Sequence, residues 1–293
     1  MFQRLLLCTD LSDGIHRLVQ FIPSLAGTGA KQIIFLHSVP FLESEAVPRE
    51  DTEKINQARE QLAPALRNLP AGLEVKVEVA SGRVINNILR VAKAHQVDLI
   101  VLGMATHNQL KERLFGSTTV GLCQKTPIPL MILRPQLISA YTSEELDLRC
   151  QHLFRWLLIP YDGSTTAKYL IEQVKRFATN RSKDSLERCH LCWVVEDVNR
   201  RGLPRDYQVE PAQKALAGIK TELEALDLKV EAEVRQGDSV VEILEAALMA
   251  DVSAIAASSG SLGNLQELSV PSFTRELLHR SWHPIIYFPS AKN

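Results

Sequence analysis

The chain has 293 residues, enough for two domains that each bury their own core. With 45% apolar and 23% charged residues it reads as a folded globular protein, which excludes a disordered or low-complexity chain. A formal charge of -1 argues against a basic face for nucleic acid, so no nucleic-acid partner is expected.

The first predicted element is an apolar strand over residues 4–9, followed by Asp10-Leu-Ser12. Its apolar run, residues 5–8, is too short for a signal-peptide core or a membrane span, so a cytoplasmic protein without membrane association is expected. Ser12 suits a helix N-cap. Ile15, Leu18, Val19, Ile22 and Leu25 recur at helical spacing behind it, with Pro23 expected to bend the helix near its middle. A second strand is predicted over 32–39, a polar loop over 40–49, and a helix over 51–68 with Ile55, Ala58, Leu62, Ala65 and Leu66 on one face. Leu73, Val75, Val77 and Val79 alternate with charged and other residues, which marks a half-exposed strand near a sheet edge. Gly82 begins a helix carrying Val84, Ile85, Ile88, Leu89 and Ala92. Residues 97–102 are nearly all apolar, as a strand covered on both faces must be.

That fourth strand ends in Gly103-Met-Ala-Thr106, and after a spacer at residues 107–115 come Gly116-Ser117-Thr118-Thr119 and a short apolar helix. Glycine at a strand end, and a Gly-Ser step opening a helix, leave backbone N–H groups free to hold phosphate without a Cβ in the way. Pro127-Ile128-Pro129 introduces a last apolar strand.

The order then repeats. A strand is predicted over 155–160, a turn at Asp162-Gly-Ser164, a helix over 164–179, a strand over 189–195 and a helix over 211–226. Leu228, Val230, Ala232 and Val234 alternate like their counterparts, and Gly237-Asp-Ser239 caps a helix running through Ala250. Residues 252–258 match 97–103, Ser272 matches Ser117, Thr274 matches Thr119 and Pro284 matches Pro129. The spacing from Gly82 to Gly103 equals that from Gly237 to Ser258. One βα unit has been duplicated, giving an α/β parallel sheet in each half. The domains are expected at 1–136 and 153–293, with a polar linker over 137–152 holding about one helical turn.

Five scattered cysteines fit a reducing compartment better than a disulfide framework. Cys189-His-Leu-Cys192 lies in a predicted strand, where residues three apart point to opposite faces. Buried structural thiols are expected there, not a metal or redox pair.

The combined order of Asp10 after strand one, Leu36-His37 in strand two, Gly82, Gly103-x-x-Thr106, the spacer, Gly116-Ser117 and Pro129 resembles the universal stress protein family, here as a tandem pair. The resemblance implies two Rossmann-like domains, each a five-stranded mostly parallel sheet in the order 3-2-1-4-5 flanked by helices. It implies an adenine nucleotide, ATP or AMP with or without Mg, at the ends of strands one and four. It also implies pairing through the final strands, here as a pseudo-dimer of the two halves, with room left for a homodimer of whole chains.

Carried over by position, Thr9 and Asp10 would lie against adenine and ribose, and Ser38 near the adenine edge. Gly103 would let ribose or phosphate approach, and Gly116, Ser117 and Thr118 would hold phosphates. Thr106 stands where the family has its second glycine. If that position needs φ > 0, a β-branched residue costs on the order of 1–2 kcal/mol and puts a methyl on the phosphate path. Thr106→Gly is therefore expected to raise ATP affinity a few-fold to tenfold. In the second half Ser258, Ser261 and Pro271 replace the glycines, and Pro271 has no N–H to donate. That half is expected to be a scaffold, which leaves one functional site per chain in the N-terminal half.

Each residue also has a plainer reading: Gly103 and Gly116 as strand and helix punctuation, Asp10 as a helix N-terminal acid, His37 as a hydrogen-bonded core histidine, and Lys111 and Arg113 as solvated loop charges. No Walker A lysine follows a Gly-rich loop. No Ser-Gly-Gly-x-Asp or His-x-Gly-His element for adenylation occurs either. The expected function is a nucleotide-binding stress-response regulator with at most weak ATP hydrolysis. The alternative is a structural interaction module of two decayed domains.

Overall fold

The computed structural model describes residues 1–42, 48–104, 117–134, 138–139, 141–182, 185–196, 209–259 and 273–289. The chain divides into two compact units, Phe2–Gln151 and His152–Asn293. The first runs β1 (Arg4–Cys8), a 3-10 turn (Ile15–Gln20), α1 (Ile22–Ala26), β2 (Gln32–Val39), α2 (Thr52–Leu62), β3 (Glu74–Ser81), α3 (Val84–Ala94), β4 (Leu99–Gly103), α4 (Ser117–Cys123), β5 (Leu130–Leu133) and α5 (Ser143–Gln151). The second runs β6 (Trp156–Pro160), α6 (Thr165–Thr179), β7 (Arg188–Val195), α7 (Val209–Glu224), β8 (Lys229–Gln236), α8 (Ser239–Met249), β9 (Ala254–Ser259), α9 (Phe273–Arg280) and β10 (Ile285–Pro289).

Within the first unit the strands lie in the order β3-β2-β1-β4-β5, and each pairing is parallel. The second unit repeats this as β8-β7-β6-β9-β10, again with parallel pairings. Register repeats as well: Leu5 lies beside Ile33 and Leu99, and Leu157 lies beside Cys189 and Ala254. The α/β duplication read from the sequence is therefore the observed architecture. Central strands are apolar on both faces because both are covered. Leu6, Ile34, Ile100 and Leu102 pack with Ile88, Val91 and Leu122 from α3 and α4, while the alternate residues Leu5, Leu7, Ile33, Phe35, Leu99 and Val101 are buried too. The alternating strand β3 sits at an edge of its sheet, as its pattern requires.

Helix starts follow local capping chemistry. Asp51 accepts a hydrogen bond from the Lys54 N–H at 3.0 Å, Ser164 from Ala167 at 3.1 Å, and Asp238 from Val240 and Val241 at 3.1 and 2.9 Å.

Four local expectations are corrected. Ser12 does not cap a helix: its hydroxyl turns back to Asp10, and the 3-10 turn begins after Gly14, which sits at φ 78°. The bent helix over 15–25 is instead two short pieces that meet at Phe21, because Pro23 fits the first turn of a new helix better than the middle of an old one. The helix predicted over 51–68 ends at Leu62 and continues as a 3-10 turn, Ala63–Leu66, where Pro64 lacks the N–H that an α-turn would use. The stretch expected as a linker holds a nine-residue helix, α5, and its Asp147 takes a hydrogen bond from Ser24 of α1.

Cys189 and Cys192 are both buried and free, and burial pushes each thiol up to about 12. Iodoacetamide at pH 8 is accordingly expected to label neither in the native protein and both in urea, counted by peptide mass spectrometry. Labelling of the native protein at either position would contradict the buried placement.

Candidate functional site

In the first unit Thr9 and Asp10 follow β1, His37 and Ser38 lie at the end of β2, and Gly103 ends β4. Parallel neighbours place all five at one end of the sheet. Thr9 is buried, its N–H donates to the Leu36 carbonyl at 3.0 Å, and its own carbonyl is held by His37 Nδ1 at 2.8 Å. His37 is thus a hydrogen-bonded structural histidine. Asp10 is exposed and accepts from the Ser12 N–H and hydroxyl, both at 2.8 Å. Asn87 of α3, which the sequence reading passed over, is buried and donates to the Ser38 hydroxyl at 3.3 Å and the Ser81 carbonyl at 3.1 Å. An Asn on the apolar face of a helix was the signal for it.

The residue that dominates this site is Asp13. It is only 5% exposed, its Oδ1 accepts from the Thr9 hydroxyl at 2.7 Å and the Ile15 N–H at 3.0 Å, and its side chain lies on Gly103. A Cβ added at Gly103 would stand 2.7 Å from both Asp13 Cβ and Asp13 Oδ2. The glycine at the end of β4 thus makes room for an internal carboxylate. Burial raises the Asp13 pKa above the ordinary carboxylate value and the nearby Asp10 adds to it, against the opposing bonds from Thr9 and Ile15. Sequence reading missed Asp13 because its partner, Gly103, is ninety residues downstream.

Among the other expected site residues, Ser117 opens α4 and Thr118 is half-buried on its first turn. Thr106 and Gly116 lie outside the described residues, as do Ser261, Pro271, Lys111 and Arg113.

The second unit mirrors this end of the sheet. Tyr161 stands for Thr9 and donates its N–H to the Cys192 carbonyl at 2.9 Å; Asp162 stands for Asp10 and accepts from the Ser164 N–H at 2.9 Å. Gly163, at φ 78°, stands for Leu11, at φ 66°. A leucine in the left-handed region is strained where its twin is a glycine. Leu11→Gly is therefore expected to stabilise the chain by about 0.5–1 kcal/mol, the strain relief less glycine's entropy cost. A lower urea midpoint for that variant would contradict the strain.

The half expected to be a scaffold has open space at these strand ends. A cavity of about 360 Å³ opens beside the ends of β6, β7 and β9, between α6, α8 and the start of α9. Ala256, Ala257, Leu170 and Ile243 form its apolar lining, with Asp162 and Glu196 on its exposed side. Ser258, in the place of Gly103, donates its hydroxyl to the Phe288 carbonyl at 2.8 Å, and Thr274 donates its own to the Ser258 carbonyl at 3.1 Å. Both hydroxyls are already used in holding α9 and β10 to β9.

The family model for the universal stress protein family matches residues 1–134 and again 154–289. This chain belongs to the universal stress protein family. It is 28% identical over 132 residues to a universal stress protein of Synechocystis, a match that spans 45% of this chain and only 42% of that relative. It is 22% identical over 155 residues to a universal stress protein of Methanocaldococcus jannaschii, a match that covers 46% of this chain and 96% of the relative. Among solved structures, a universal stress protein from Archaeoglobus fulgidus superposes with a TM-score of 0.64 at 17% identity, covering 97% of each chain, which shows the shared tandem fold. No helix among the described residues is long and apolar enough to cross a membrane. None of their His, Cys, Asp and Glu side chains gather in threes as metal ligands would.

Proposed function

We infer that this universal stress protein is an adenine-nucleotide-binding regulator of a stress response, holding one ATP or AMP per chain in its N-terminal half. The site comprises Thr9, Asp10, Ser38, Gly103, Thr106, Gly116, Ser117 and Thr118. The observation that carries the reading is the strand order: β1 and β4 are parallel neighbours at the point where the order reverses, and open α/β sheets take ligands in the crevice at that point. Thr9, Asp10 and Gly103 line the same strand ends there. Hydrolysis is at most weak, since the sequence supplies neither a Walker A lysine nor an acid and base arranged for phosphoryl transfer.

Calorimetric titration of the whole chain with ATP and with AMP tests this. The expected result is about one site per chain, which the Gly116→Pro substitution removes and Pro271→Gly does not. Two equal sites would place the ligand wrongly.

A second reading has its own observation. The Asp13 carboxylate occupies the space over Gly103 and carries the charge a phosphate would meet. If no adenine nucleotide binds at millimolar concentration to the native chain or to Asp13→Asn, the first half is an interaction module that keeps its glycine for internal packing alone.

A further inference from the structure

We propose that the C-terminal half binds a protonated organic amine with an apolar body in the cavity beside β6 and β9, and that it turns phosphorylated ligands away. This cavity lies wholly within the second unit and is independent of any nucleotide in the other half. A space of about 360 Å³ is within the range that takes a small molecule. Its walls are mainly apolar, which sets the body of the ligand. Its charge sets the rest.

Among the described residues lining the cavity there is no Lys, Arg or His, while two carboxylates, Asp162 and Glu196, stand on its exposed side. Asp162 is fixed by the Ser164 N–H, and Glu196 accepts from the Ser239 hydroxyl at 2.7 Å, so both present anionic oxygens in defined places. Tyr161 and Phe273 add two rings to the lining, and an aromatic face favours a cation. The Tyr161 phenol reports the same field: its pKa is raised by burial and then by the Asp162 and Glu222 carboxylates. An anion would meet two carboxylates here, and it would find the Ser258 and Thr274 hydroxyls already engaged. The place in the fold is equivalent to that of the first half. Its electrostatics are those of a cation site.

The test uses the full chain and three ligands of one shape: tryptamine, the neutral alcohol tryptophol, and indoleacetate, with AMP as competitor. Titration calorimetry at pH 7 is expected to show tryptamine bound at one site per chain, about fivefold to tenfold tighter than tryptophol, with indoleacetate weaker still. AMP is expected not to displace it. The double variant Asp162→Asn, Glu196→Gln keeps both hydrogen-bond acceptors and is expected to bring tryptamine and tryptophol to equal affinity. Should that variant fold poorly, Glu196→Gln alone, at an exposed position, is expected to lose about half of the preference on a logarithmic scale. Thr166→Phe, on the half-exposed wall, is expected to weaken all the indoles together. Indoleacetate binding as well as tryptamine, displacement by AMP, a preference unchanged by both charge variants, or no binding of any indole would each overturn the proposal.

Discussion

Asp13→Asn is expected to raise the affinity of the N-terminal half for ATP and AMP by about tenfold at pH 7. The substitution keeps a side chain of the same shape beside Thr9, Ile15 and Gly103, but removes a negative charge from the space that a ribose or phosphate must share. One charge a few ångströms away in a half-screened site carries on the order of 1–2 kcal/mol, which is the tenfold. The same variant should change how stability depends on pH. Because burial raises the Asp13 pKa in the folded state, the native protein holds that proton more tightly than the unfolded chain does. The stabilisation this gives is complete below about pH 4, the unfolded value, and is lost as pH climbs through the raised folded value. Urea denaturation of native and variant protein across that interval should therefore differ most in slope, with the variant flatter. Unchanged nucleotide affinity would mean that no Asp13 charge stands in the ligand's way, and an unchanged slope would mean that folding does not raise its pKa.

Gly103→Ala is expected to cost about 2–3 kcal/mol. The added carbon would sit 2.7 Å from Asp13 Cβ, an atom close to the main chain that cannot swing aside as a side-chain tip would. Either β4 shifts or Asp13 leaves its seat and abandons its bonds to Thr9 and Ile15. For a unit of this size the loss corresponds to a melting point lower by about 5–10 °C. In an Asp13→Gly background the same change should cost well under about 1 kcal/mol, and this non-additivity ties the effect to the Gly103–Asp13 contact. Equal costs in both backgrounds would show that the glycine is needed for its backbone alone.

The two tests bear on why this site was only partly legible in the sequence. The strand-end positions of Asp10, Ser38 and Gly103 were legible because strand ends are marked by local pattern: an apolar run, then a turn residue. Asp13 was not, because an acid in a loop looks the same whether it faces water or a glycine on another strand. The place of α5 was missed for a related reason. Its polar composition reads as linker until Asp147 is seen beside Ser24 of α1. The bent helix over residues 15–25 failed on a local competition that periodicity does not register, since the apolar spacing survives whether the chain there is one helix or two short ones.

By itself the sequence determined the duplication, the α/β class and the strand boundaries to within two residues in most cases, because these rest on repeating patterns of burial. Alternation marked β3 and β8 as edge strands, and an unbroken apolar run marked β4 as covered on both faces. Only the tertiary structure decided what fills each strand-end crevice. In the half that kept its glycine at the end of β4, Gly103 receives the Asp13 side chain; in the half that lost it, Ser258 spends its hydroxyl on Phe288 and a cavity opens between the helices. A crevice is the space left between elements far apart in the chain, and its volume and charge depend on side chains that meet only when the sheet has formed.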